Sequence, residues 1–182
     1  CFSSELSGTC ANAVLAQREL AEKYPNARLE VVNSRNVSMG EAYLAMEAAK
    51  QRVEGKTMDE TIAWLEGNKY NVRYWFTVDD LNHLKRGGRV SATAAFVGTM
   101  LGIKPVMHAD SEGRLIPMSK ARGTKAALKA LVDKVEELGV EPDKNQPLFI
   151  CHANCPDSVA YVKELLEERF GVTDVRADFI GP

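Results

Sequence analysis

The amino-acid sequence predicts an α/β fold in which the remainder of a mostly parallel sheet domain is followed by a second, α+β domain. In the first part of the chain, short apolar stretches alternate with helical apolar stripes, which favours a parallel sheet covered by helices. Near residues 85–89, two glycines between cations interrupt this alternation, and a strand–turn–strand pattern follows. We therefore predict a first domain at residues 1–83 and a second domain at residues 84–182.

Each element of the first domain has a local cause in the sequence. In order, we predict a strand end at 1–2, a helix at 12–23, a strand at 29–32, a helix at 41–54, a helix from 57 to about 65 and a strand at 72–78. The first helix carries an apolar stripe and ends at Pro25. Thr57 and Glu60 form a capping-box pattern ahead of the third helix. The last strand is rich in β-branched and aromatic residues.

The second domain shows a different order of elements. We predict a helix at 91–101, a strand at 103–108, its hairpin partner at 113–118, a helix at 119–138, a strand at 148–152, a helix at 157–170 and a strand at 172–180. Small residues in the first of these helices are typical of close packing, and a turn at 110–113 joins the hairpin strands. Val175, Ala177 and Phe179 alternate with polar residues in the last strand.

Composition narrows the classes of function. The chain has 182 residues, of which 45% are hydrophobic and 26% charged, and its net charge of −2 gives no overall field that would attract nucleic acid or an anionic membrane. No apolar run is long enough to span a bilayer, so we expect no stable membrane insertion. The four cysteines form no CxxC pair, and we expect reduced cysteines in a cytoplasmic protein.

The sequence predicts no metal site. Cys151, His152 and Cys155 are close together, but a metal site would need further ligands at matching spacing. Cys151 follows an apolar stretch that is typical of a buried strand. We therefore expect His152 to have a structural role.

Residues 3–9 read SSELSGT, so hydroxyl groups and a glycine precede a predicted helix. One hydroxyl is enough to cap a helix, with an effect of about 1 kcal/mol. The additional serines and the glycine can instead form an anion site, in which hydroxyls and backbone amides converge on a carboxylate or a phosphate. The residues alone leave both interpretations open.

Catalysis by these serines would require a base within hydrogen-bond reach. The three histidines, His83, His108 and His152, lie in no motif that pairs them with the serines. A serine-dependent hydrolase or phosphotransferase that uses Ser3 and Ser4 therefore stays open as an alternative function. An interaction domain without a ligand is a further alternative.

Two groups of basic residues also allow more than one interpretation. Arg89 follows two glycines, and an arginine near a domain cleft suits a carboxylate or a phosphate. Lys120, Arg122 and Lys125 lie at the start of the predicted helix 119–138, where cations oppose the helix dipole. A partner or a phosphate would explain this cluster, and so would a solvated charged face.

Four motifs resemble those of the DegV family, in the family's own order. They are SSELSGT at 3–9, LKRGGRVS at 84–91, LGIKPV at 101–106 and KARG at 120–123. The resemblance covers essentially the whole chain and implies a DegV-like two-domain fold with a ligand tunnel between the domains. The family pattern extends further at both ends, to a ligand-binding threonine upstream and a ligand-holding histidine downstream. We therefore expect this chain to be a fragment that lacks both ends.

The resemblance also implies a function. Family members are bacterial proteins that bind one long-chain fatty acid without cofactor or catalysis, and a separate fatty acid kinase subunit phosphorylates the bound carboxylate. The implied carboxylate-binding residues are Ser3, Ser4 and Arg89, with Ser4 favoured for the direct contact. The tunnel candidates are Phe2, Phe96, Met100, Leu101 and Ile103. The candidates for docking the kinase are Lys120, Arg122 and Lys125.

Overall fold

The computed structural model describes residues 1–90, 102–138 and 147–180. In order, they form α1 (Thr9–Lys23), α2 (Ser38–Val53), α3 (Met58–Asn68), β1 (Trp75–Thr77), α4 (Leu81–Arg86), β2 (Ile103–Ala109), β3 (Leu115–Arg122), α5 (Thr124–Glu137), β4 (Leu148–His152), α6 (Pro156–Phe170) and β5 (Val175–Phe179). These helices and strands confirm the predicted α/β class. The helix predicted at 91–101 lies outside the described residues.

The chain packs into two compact units. The first unit contains Cys1–Tyr74 and Ala109–Arg114, and the second contains Trp75–His108 and Leu115–Pro182. The first unit therefore includes the tip of the β2–β3 hairpin, which comes from a much later part of the sequence. The domain boundary that we predicted after residue 83 stays a prediction.

In the first unit, residues 1–3 run alongside residues 32–36. The Ser34 nitrogen donates to the Cys1 carbonyl at 2.9 Å, and the Ser3 nitrogen donates to the Asn36 carbonyl at 3.0 Å. The strand predicted at 29–32 is wrong, because these residues form no regular strand. Arg35 adopts a φ of 57°, which interrupts the extended backbone and keeps this pairing short.

The helices of the first unit follow from local signals. α1 and α2 begin slightly earlier than predicted, at Thr9 and Ser38. The capping box before α3 is confirmed: the Glu60 nitrogen donates to Thr57 Oγ1 at 3.2 Å, and the Thr57 nitrogen donates to the Glu60 carboxylate at 2.8 Å. Two backbone amides at the start of α3 are thereby satisfied.

The strands β1, β2 and β3 form a sheet in that order, and β1 is antiparallel to β2. The predicted hairpin of β2 and β3 is confirmed. At its turn the Asp110 nitrogen donates to the Arg114 carbonyl at 3.0 Å, and at its other end the Gly123 nitrogen donates to the Gly102 carbonyl at 2.7 Å. Met107 is fully buried in the middle strand of this sheet.

The predicted helix start at residue 119 is wrong. β3 continues to Arg122, and α5 begins only at Thr124. Gly123 separates the two elements with a φ of 85°, a left-handed conformation that glycine adopts without strain. Lys120 and Arg122 therefore lie on one side of a β-strand, since side chains two residues apart share a face. They do not oppose a helix dipole.

The strands β4 and β5 form a parallel pair, and α5 and α6 pack with them. The core of this region is apolar and consists of Val132, Leu166, Val172 and Val175. An ion pair also joins the two helices, since the Arg169 guanidinium lies 2.5 Å from the Asp133 carboxylate. The strands predicted at 148–152 and 172–180 are confirmed, although the second begins at Val175.

The helix α4 was not predicted, and it has only six residues. Asp80 caps this helix by accepting a hydrogen bond from the Asn82 nitrogen at 2.8 Å. Among the helices in the described part of the chain, none is both long and apolar enough to cross a membrane.

Candidate functional site

Ser3 is buried and forms hydrogen bonds with three segments of the first unit. Its side chain is fully buried, and its hydroxyl donates to the Gly113 carbonyl at 2.9 Å. Its own carbonyl accepts from the nitrogens of Leu6 and Ser7, both at 3.1 Å, which closes a turn ahead of α1. With its hydroxyl used in this way, Ser3 holds the turn to the hairpin tip.

Ser4 follows Ser3 in the same turn but is exposed. Its oxygen accepts a hydrogen bond from Asn33 Nδ2 at 2.8 Å. Since a serine hydroxyl has one hydrogen and can also accept, this contact leaves the Ser4 hydrogen available to donate. The structure thus separates two adjacent serines that the sequence could not distinguish.

The start of α1 is not capped by a side chain. Gly8 is the N-cap residue, and the Ser7 oxygen accepts from the Thr9 nitrogen at 3.2 Å. The nitrogens of Cys10 and Ala11 lie in the first helical turn, where an α-helix offers them no intrahelical acceptor. The amides at a helix start favour a negative charge at the same end of the helix.

The tip of the β2–β3 hairpin supports the serine turn from the other side. Gly113 has a φ of 82°, and a Cβ atom at this position would overlap Ser3 Oγ and lie 2.9 Å from the Arg35 carbonyl. The Asp110 carboxylate organises the tip by accepting from the nitrogens of Glu112 and Arg114, both at 2.9 Å. The close approach of two chain segments therefore depends on a residue without a side chain.

Partial burial opposes ionisation of Asp110, but its hydrogen bonds with Arg114 and Glu112 outweigh this effect and hold the pKa of the carboxyl below its ordinary value. A lowered pKa in the folded state means that the ionised carboxylate stabilises the fold above the unfolded-state pKa of about 4. This stabilisation is lost as the pH falls through the folded-state pKa.

We expect Asp110→Asn to lower the free energy of unfolding by about 1 kcal/mol at neutral pH, because it removes charge-assisted hydrogen bonds. The difference from the wild type should shrink below about pH 4, where the wild-type carboxyl also loses its charge. Urea unfolding at several pH values measures this. Glu22→Gln, at an exposed position of α1, is the matched control. A difference that stays constant down to pH 2.5 would contradict the expectation.

Asn33 and Arg35 also lie at the candidate site, although neither was among the predicted ligand-binding residues. Asn33 Oδ1 accepts from the Arg35 nitrogen at 3.1 Å, and the Arg35 guanidinium donates to the Glu112 carbonyl at 2.8 Å. These contacts connect the Ser4 side of the turn to the hairpin tip. The polar loop after a predicted strand was the available signal, but it did not indicate which side chain faces Ser4.

The other predicted ligand residues are placed as follows. Arg89 lies in the second unit, is exposed and donates to the Gly87 carbonyl. Phe2 in the first unit and Ile103 on β2 are half-buried. Phe96, Met100 and Leu101 lie outside the described residues. The structure therefore brings Ser3 and Ser4 together with Asn33, whereas Arg89 belongs to the other unit.

The predicted basic cluster is divided between two elements. Lys120 and Arg122 are exposed on β3, and Lys125 is in the first turn of α5. The Lys125 ammonium lies 5.6 Å from the centre of the Tyr161 ring, a cation–π distance. All three cations lie within six residues of sequence in the second unit.

His152 makes contacts of the structural kind that we expected. Its Nδ1 accepts from the Cys155 nitrogen at 3.2 Å, and its ring lies 4.9 Å from the ring of Phe179. In the part of the chain that the structure describes, no group of three histidine, cysteine or carboxylate side chains is arranged for a metal ion. The predicted absence of a metal stays a prediction.

The fold is that of a two-unit α/β protein with both antiparallel and parallel strand pairs. A family model described as "Uncharacterised protein, DegV family" matches residues 1–182. The chain belongs to the DegV family.

A curated relative supports this assignment. The DegV domain-containing protein CPE0026 of Clostridium perfringens is 41% identical over 180 residues, which cover 99% of this chain and 62% of the relative. The chain thus spans somewhat less than two thirds of the length of this relative.

Two solved structures share the fold. A DegV family protein from Eubacterium eligens, loaded with heptadecanoic acid, has a TM-score of 0.88 and 26% identity, with 99% of this chain and 64% of that chain covered. A DegV family protein from Ruminococcus gnavus, with vaccenic acid, has a TM-score of 0.88 and 31% identity, with 98% and 63% covered. Both of these relatives were solved with a long-chain fatty acid.

Proposed function

We propose that this protein binds one long-chain fatty acid and holds its carboxylate at the serine turn, with the acyl chain in a tunnel between two domains. The observation that carries the proposal is the similarity to two structures that contain heptadecanoic and vaccenic acid. The exposed hydroxyl of Ser4 supports it, because this group can donate to a carboxylate. The proposal includes a cytoplasmic location, where the cysteines would stay reduced.

Ser4 is the proposed direct ligand, and Ser3 is proposed to hold the turn in place. Ser3 is buried and bonded to Gly113, whereas Ser4 is exposed and its hydrogen is available. Arg89 stays a proposed supporting contact for the carboxylate. Phe2, Phe96, Met100, Leu101 and Ile103 stay the proposed walls of the tunnel.

The acyl chain would supply most of the affinity. Each buried methylene contributes about 0.8 kcal/mol, so a sixteen-carbon chain offers roughly 10 kcal/mol or more before the costs of ordering. Hydrogen bonds from the serine turn would add less, and they would set the orientation of the acid. In such a protein, the tunnel provides the affinity and the polar end determines the orientation of the bound acid.

We propose binding without catalysis. The two hydroxyls of the site contact a backbone carbonyl and a carboxamide, and neither of these groups can act as a general base. A serine-dependent hydrolase or phosphotransferase would require such a base to approach Ser4.

Native mass spectrometry of the protein at its natural length, combined with organic extraction, tests the binding function. We expect a co-purified long-chain fatty acid. A protein that carries no lipid and takes up no added hexadecanoic acid would overturn the proposal.

We also propose that a fatty acid kinase subunit phosphorylates the bound acid and docks on Lys120, Arg122 and Lys125. Arg122→Glu should reduce kinase-dependent formation of acyl phosphate about tenfold, because a reversed charge on β3 repels an acidic partner surface. Lipid binding should not change. Arg18→Glu makes the same charge reversal at an exposed position of α1 in the first unit and serves as the control. Normal phosphorylation by the Arg122 variant would rule out this docking face.

A further inference from the structure

Asn33 has a fixed orientation beside Ser4. Its Oδ1 accepts from the Arg35 nitrogen at 3.1 Å, and its Nδ2 donates to Ser4 Oγ at 2.8 Å. A backbone nitrogen can only donate, so the oxygen of the carboxamide must face Arg35 and the amino group must face Ser4. The hydrogen-bond network therefore decides the amide orientation without ambiguity.

This orientation leaves two donors side by side. The amino group of Asn33 has two hydrogens, and only one is used on Ser4. Within residues 1–90, 102–138 and 147–180, the second hydrogen meets no acceptor. Because the Ser4 oxygen accepts from Asn33, the Ser4 hydrogen can donate outward. The two donor atoms are 2.8 Å apart, and Ser4 is exposed while Asn33 is half-buried.

The surrounding charge favours an anion. Arg35 lies two residues from Asn33, and across the described ranges no carboxylate forms an ion pair with its guanidinium. Its Nε atom is buried and, among the same residues, has no hydrogen-bond partner. A positive charge without a protein counter-ion in this loop lowers the energy of a bound carboxylate.

We propose that Asn33 and Ser4 together bind the ionised carboxylate of the ligand, and that each residue donates one hydrogen bond to one of its two oxygens. The inference rests on the proposed fatty-acid function and adds Asn33 as a direct binding residue. A carboxylate has two acceptor oxygens and suits paired donors, whereas an alcohol offers a single oxygen. The pair therefore selects acids over neutral lipids with the same chain.

The variant Asn33→Asp tests this assignment. Aspartate keeps the oxygen that accepts from the Arg35 nitrogen, so the loop conformation is retained. It removes both donors of the amino group, adds a charge of the same sign as the ligand, and draws the Ser4 hydrogen toward itself. We expect the affinity for hexadecanoic acid to fall about tenfold or more at neutral pH. The affinity for hexadecanol should change by less than about threefold.

Binding of both probes is measured on the protein at its natural length by displacement of a fluorescent fatty acid. Asn26→Asp adds the same charge at an exposed position of the first unit and should leave both affinities unchanged. If the wild type binds neither probe, the proposed function itself fails. If the wild type binds hexadecanoic acid and Asn33→Asp binds it equally well, only the role of Asn33 is overturned. If Asn33→Asp lowers the affinities for both probes equally, Asn33 has only a structural role, and the assignment is also overturned.

Discussion

Gly113→Ala is expected to lower the free energy of unfolding by about 3 kcal/mol. An alanine at a φ of 82° is strained, and its Cβ would overlap Ser3 Oγ and press on the Arg35 carbonyl at 2.9 Å. The Arg35 carbonyl is backbone and cannot rotate away, and Ser3 is fully buried. The hairpin tip must therefore move, and the hydrogen bond from Ser3 to the Gly113 carbonyl is weakened.

Gly55→Ala is a closely matched control for this prediction. Gly55 has a φ of 81° in the same unit, and a Cβ atom there would meet nothing within 4 Å. Gly55→Ala therefore introduces backbone strain without a steric overlap, and it should lower the free energy of unfolding by about 1 kcal/mol. Urea unfolding of both variants gives the difference, and equal losses would show that contact with the serine turn is unimportant.

A double variant makes this test sharper. Ser3→Ala removes the oxygen that the new Cβ would overlap, so Ser3→Ala with Gly113→Ala should cost less than the sum of the two single changes. The close contact between the new Cβ and the Arg35 carbonyl remains, so only part of the lost stability should be recovered. Simple additivity would contradict the packing of Gly113 on Ser3.

The two serines should respond to alanine substitution in opposite ways. Ser4→Ala should reduce the affinity for hexadecanoic acid about tenfold, because it removes the proposed hydrogen bond to the ligand carboxylate. Its effect on stability should be small, since Ser4 is exposed. Ser3→Ala should instead lower the free energy of unfolding by about 1–2 kcal/mol, since it leaves the Gly113 carbonyl without its buried donor.

Fatty-acid titration and urea unfolding of the same two variants check this contrast. Each serine is the control for the other, because the two residues are adjacent and chemically identical. A loss of affinity in Ser3→Ala with unchanged binding in Ser4→Ala would reverse the proposed roles. Normal affinity in both variants would remove the serine turn from the ligand site.

Local sequence patterns were enough to predict several elements. Thr57 and Glu60 are three residues apart, and their capping box forms as predicted because a helix start brings these positions together. The β2–β3 hairpin and β4 follow from apolar and turn residues in short windows. The wrong assignment of residues 119–122 to a helix also has a local cause. Lys120 and Arg122 were assigned to a helix because the apolar stripe of α5 was extended past Gly123, whose positive φ ends the strand there.

The sequence by itself determined the family, the α/β class and the presence of a hydroxyl-rich turn before α1. It could not determine which serine is buried, because Ser3 and Ser4 are the same residue type in adjacent positions. Tertiary structure decided this: the pairing of residues 1–3 with residues 32–36 directs Ser3 inward, and Gly113, 110 positions later in the chain, accepts its hydroxyl. Asn33 became a ligand candidate for the same reason, since its contact with Ser4 spans 29 positions. Contacts of this range depend on how the segments pack, which no local pattern specifies.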